Sequence, residues 1–85
     1  MSEAKIGRVQ KFYSKLRVAV VELTAGPLGI GDMIHVRGST TDFEQPVESM
    51  QIEHERVEQA DAGQRVAIQV LAKARPHDAV YRITP

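Results

Sequence analysis

The residues best equipped for chemistry lie near the N-terminus, where Phe12 and Tyr13 sit inside a run of cations, Lys11, Lys15 and Arg17, with Arg8 just before. Aromatic faces stack on unpaired bases while ammonium and guanidinium groups contact phosphates, so this is a candidate nucleic-acid contact. The competing reading packs Phe12 under the core and Tyr13 at its rim, with the lysines keeping a hairpin soluble. Lys73 and Arg75 add two cations further along. The candidate RNA-contacting set is therefore Arg8, Lys11, Tyr13, Lys15, Arg17, Lys73 and Arg75.

Other chemistries find less support. Histidines 35, 54 and 77 show no H-x-x-x-H spacing; His35 and His54 could meet across strands with Glu53 or Glu55, but the spacing favours no metal. Gly29 and Gly31 begin a G-x-G that fails at Ile34, and no P-loop occurs, which excludes nucleotide triphosphate by that route. Gly26-Pro27-Leu28-Gly29 spells G-x-x-G but precedes a strand where that RNA-binding loop requires helices. Ser14, Ser39 and Ser49 lie in no nucleophile elbow, and the acidic stretch reads as a solvated face. We expect neither enzyme activity nor a cofactor.

These residues must be held by a small scaffold. Eighty-five residues make one domain, 1–85, with no cysteine to staple it. No apolar run reaches the roughly 20 residues that span a bilayer, and Met1-Ser2-Glu3-Ala4-Lys5 lacks a signal peptide's apolar stretch; the expectation is a cytoplasmic protein without a membrane. Eleven basic and eleven acidic side chains cancel, yet residues 1–17 carry +4, residues 40–61 carry −6 and residues 62–85 carry +3. If the two ends fold together they form a basic face; the alternative is cross-strand pairing on a solvated surface.

Apolar residues recur at period two. Strands are expected over residues 5–12, Leu16 to Leu23, Ile34 to Arg37, residues 46–55 with a bulge or bend, Val66 to Leu71 and Val80 to Thr84. Turns fall at residues 13–15, 25–32, 38–46, 59–64 and 74–78. Residues 47–62 have helical propensity, but Pro46 opens them and no apolar stripe runs through them. Six short strands with such punctuation imply an all-β fold, a small antiparallel barrel or sandwich.

Ile6-Gly7-Arg8-Val9, Gly26…Leu28…Gly31-Asp32…Ile34…Val36…Gly38, Val47-Glu48-Ser49-Met50 and Ala60…Gly63…Val66-Ala67-Ile68 together resemble the second domain of translational GTPases such as elongation factor Tu and initiation factor two. The chain is similar to standalone translation-elongation-factor-like proteins and to the barrel that ends some collagenase-like peptidases. The resemblance implies a closed six-stranded antiparallel barrel of translation-protein type without its GTPase domain. It matches Gly7, Gly31, Asp32, Gly38 and Gly63 as structural turn positions and carries over no binding residue. His77 departs from the pattern, which commonly has glycine there. Two functions follow as expectations: a non-catalytic module contacting RNA or a ribosomal or translation component, or a protein-interaction barrel partnering a separately encoded enzyme or GTPase domain.

Overall fold

The alternation of apolar and polar residues builds ten antiparallel strands in the computed structural model, which describes residues 2–85. They are β1 (Ser2–Tyr13), β2 (Val18–Leu23), β3 (Leu28–Gly29), β4 (Met33–Arg37), β5 (Asp42–Pro46), β6 (Met50–Ile52), β7 (Glu55–Val57), β8 (Gln59–Ala60), β9 (Arg65–Gln69) and β10 (Ala79–Thr84). Eight form one sheet in the order β5-β4-β10-β1-β2-β9-β6-β7, and β3 pairs with β8. In β2 the pattern is visible residue by residue: Ala19, Val21 and Leu23 are buried, while Val18, Val20 and Glu22 on the other face are half-buried. Leu23, Leu28, Ile34, Met50 and Ile68 are completely enclosed in the core. Burying each such side chain stabilises by about 1.5–3 kcal/mol.

Strand β1 is the spine. It pairs with β10 from Ser2 to Arg8 and with β2 from Gly7 to Tyr13, and its register shifts between Lys5 and Gly7 and again between Val9 and Lys11. Each shift is a bulge that bends the strand. Gly7 takes part in both ladders, and a Cβ there would lie 2.3 Å from the Glu22 carbonyl oxygen. The resemblance matches the position as a structural turn; it lies inside a strand, as the period-two pattern over residues 5–12 implies, where the neighbouring backbone leaves no space for a side chain.

Three turns share one construction. In Gly29–Asp32, Asp61–Gln64 and Arg75–Asp78, the fourth residue's N–H donates to the first residue's carbonyl, at 3.1, 3.2 and 3.1 Å. In each, a side-chain oxygen of the fourth residue accepts the first residue's N–H at 2.8 Å. The third residues, Gly31, Gly63 and His77, have φ of 96°, 90° and 76°. This is the type II pattern. His77 therefore keeps the turn with a side chain in place of glycine, at a strain of about 1–2 kcal/mol.

The structure departs from the expected six-stranded closed barrel. Residues 42–46, placed in a loop by their polarity, form β5 against β4, because an edge strand needs apolar residues on one face only. The expected single strand over residues 46–55 is divided into β6 and β7 by a two-residue turn at Glu53 and His54, whose φ values of 51° and 68° mark it as type I′. The backbone ladder stays open between edges β5 and β7. One side chain joins β5 to the end of β9 instead: buried Gln45 donates to the Gln69 carbonyl at 2.9 Å and accepts from the Leu71 N–H at 2.7 Å.

Replacing Gly7 with alanine is expected to cost about 2–3 kcal/mol by forcing the strands apart, whereas Gly29→Ala, whose added Cβ would meet Glu58 O at 3.5 Å, should cost about 1 kcal/mol or less. Urea denaturation of the two variants checks this. Gln45→Ala strands two backbone groups and should cost about 1–3 kcal/mol by the same measurement.

Candidate functional site

Pairing of β1 with β10 brings the two basic ends of the chain side by side, the condition under which the charge pattern would give a basic face. The seven cationic and aromatic candidates nevertheless divide. Lys15 and Arg17 occupy the β1–β2 turn, and Arg17 ties that turn to the chain after β9: its carbonyl accepts from the Val70 N–H at 2.8 Å and its Nη1 donates to the Leu71 carbonyl at 3.4 Å. Arg17 and Lys73 share a cleft of about 250 Å³ with Phe12, Ser14 and Ala72. Tyr13 is 46% exposed and does not line the cleft, while Phe12 packs against the core. Arg8 and Lys11 line a different cleft with Val9, Gln10 and His77, and Arg8 reaches Glu22 at 3.5 Å. Arg75 starts the last turn, with its side chain at the surface.

The first group forms a tip with a mixed character. Leu16 and Leu71, both 67% exposed, lie on the two segments that Arg17 joins. A single exposed leucine is ordinary; two on joined segments, Leu16 between Lys15 and Arg17 in the β1–β2 turn and Leu71 two residues before Lys73, offer apolar and cationic groups suited to an acidic, partly apolar partner.

A second constellation was not anticipated from the sequence. Ile34 and Val36 face the core, so His35 between them points to the outer face of the sheet, yet only 8% of it is exposed. Its Nδ1 lies 3.0 and 3.1 Å from the two carboxylate oxygens of Glu3, and its Nε2 lies 2.5 Å from Asp42 Oδ1. Tyr81 flanks the ring at a centroid separation of 6.1 Å. Glu44 stands opposite His35 in the β4–β5 ladder. Ionised carboxylates only accept, so both ring nitrogens must donate and the imidazolium is favoured. The hydrogen bond to Asp42, then that to Glu3, raises the His35 pKa above its ordinary 6.5 against the opposing effect of burial. The sequence offered a metal site only through His35 meeting His54 with Glu53 or Glu55; the structure instead puts Glu53 and His54 in the β6–β7 turn and Glu55 at the start of β7. No sequence spacing signals the observed cluster, because Glu3 is 32 residues from His35 and meets it only through the sheet.

No family model matches the chain. A protein of Porphyromonas gingivalis named Collagenase is 44% identical over 78 residues, 91% of this chain and 22% of its own length. An uncharacterized protease of Methanocaldococcus jannaschii is 46% identical over 78 residues, again 91% of this chain and 19% of its own. The chain thus spans about a fifth of the length of the curated relatives it matches. The crystal structure of the C-terminal domain of a Geobacillus thermoleovorans protein described as a U32 peptidase superposes with a TM-score of 0.87 at 19% identity, covering 94% of this chain and 92% of that one. These relatives correct the expectation of a translation-factor-related, RNA-contacting module: the proteins this chain resembles are named as proteases. The likeness to the barrel that ends collagenase-like peptidases is the part of the resemblance they support. Among the described residues, no helix is long and apolar enough to cross a membrane.

The raised pKa of His35 fixes the direction of a pH effect. Its pairing stabilises the fold fully below about pH 6.5, where the unfolded chain's histidine is also protonated, and that contribution is lost as pH rises through the folded value. The melting-temperature advantage of the native chain over His35→Gln, measured in chelated buffer, should therefore be largest near about pH 6 and shrink toward about pH 9. A constant difference across that range would refute the pairing.

Proposed function

We propose that this chain is an accessory, non-catalytic domain of a U32-type peptidase, acting beside a segment that carries the hydrolytic chemistry. The observation that carries the reading is the mismatch of lengths: identity of 44% runs through 91% of this chain but covers 22% of the Porphyromonas gingivalis collagenase. The fold likeness to a domain described as C-terminal in a peptidase supports the same assignment. A domain of this kind contributes by docking, and the tip that carries Tyr13, Leu16 and Leu71 together with Lys15, Arg17 and Lys73 is the surface that suits it. Its apolar side chains supply burial on association, and its cations select an acidic rim on the catalytic segment.

The test pairs this chain with the Porphyromonas gingivalis collagenase from which the matched segment has been removed. Titration calorimetry should detect saturable binding that weakens with added salt, and Leu16→Glu combined with Leu71→Glu should weaken it at least about ten-fold, or 1.4 kcal/mol. The isolated chain should hydrolyse no peptide substrate. Absence of binding at low ionic strength, or unchanged binding by the double variant, would overturn the proposal.

A further inference from the structure

The geometry points to a site for one divalent cation of zinc type, formed by Glu3, His35 and Glu44 on the outer face of the sheet. One carboxylate oxygen from each glutamate and one imidazole nitrogen of His35 lie within 4.8 Å of one another. Ligand arms of about 2.0–2.2 Å in a tetrahedron put neighbouring donors about 3.4 Å apart. Glu3 and Nδ1, at 3.0 and 3.1 Å, already have nearly that spacing. Glu44 has a carboxylate oxygen within 4.8 Å of both, close enough to reach that spacing by side-chain rotation. Its side chain is exposed and, among the described residues, makes no hydrogen bond or ion pair that would hold it back.

Two further features suit a cation. Asp42 holds Nε2, which orients the ring and leaves Nδ1 directed at Glu3; a carboxylate on the far nitrogen is the usual support of a metal-bound imidazole. The cluster also carries a surplus of negative charge. Glu3, Asp42 and Glu44 provide three carboxylates against the single positive charge of a protonated His35, and Arg37, opposite Asp42 in register, makes no ion pair with it. A dication replaces the Nδ1 proton, which leaves to solvent, and offsets the surplus. The donor set of one imidazole and two carboxylates favours zinc over calcium or magnesium, which prefer oxygen alone. Three protein ligands leave a fourth position for water.

The experiment uses the whole chain, stripped with a chelator and titrated with zinc chloride by calorimetry, with melting temperature followed in parallel. The expected result is saturable one-to-one binding and a rise in melting temperature. Glu44→Gln, which leaves both hydrogen bonds of His35 intact and so preserves folding, should weaken binding at least ten-fold. Asp42→Asn should weaken it by a factor of about 10–100 through loss of ring orientation. His54→Gln and His77→Gln should bind as the native chain does. The inference is overturned by absence of saturable binding, by unchanged affinity in Glu44→Gln, by loss of binding in His54→Gln or His77→Gln, or by calcium binding more tightly than zinc.

Discussion

Everything in this fold depends on the close approach of two backbones at Gly7. Strand β1 has to serve two ladders, one with β10 and one with β2, and Gly7, which with Arg8 takes part in both, sits against the Glu22 carbonyl with no space for even a methyl group. Because β1 bends there and again near Gln10, a single twelve-residue strand brings together halves of the sheet that begin and end the chain. The basic tip and the His35 cluster are both products of that bend. The first hangs from the far end of β1 and the second uses Glu3 from its beginning.

The two sites differ in how they are held. At the tip, Lys15, Arg17 and Lys73 project from turns whose connection is one backbone bond and one long guanidinium bond. Such a surface can adapt to a partner. His35, by contrast, sits on a strand paired on both sides, with a carboxylate at each nitrogen and a tyrosine ring alongside. That arrangement is prepared before any ligand arrives, and its ordering cost is already met in folding.

Legibility in the sequence followed the physics of each element. Period-two burial in β2 and β9 is a local signal and could be read directly. Strand β5 could not, because Asp42, Glu44 and Gln45 are polar and their strand character comes from pairing with β4. The β6–β7 turn was hidden because Glu53 and His54 are not residues that favour positive φ. The turns at Asp32 and Asp78 were visible from their composition, though the role of Gly7 was not: it arises from a neighbour 15 residues away. Of the candidate site, the cations were visible as a cluster in sequence, but their division between two clefts was not. The leucines of the tip carried no signal at all, since exposure of an apolar side chain is a tertiary fact.

The seam at Gln45 has a consequence for motion. Elsewhere the sheet is stitched by repeated backbone bonds, so opening it means breaking several at once. Between β5 and residues 69–71 at the end of β9, one amide side chain makes the polar contacts. A rotation of that single side chain releases both bonds together, which makes the seam the natural boundary between two cooperative units. The amide of Leu71 would then exchange its hydrogen by a local fluctuation while those of β1 wait for global unfolding.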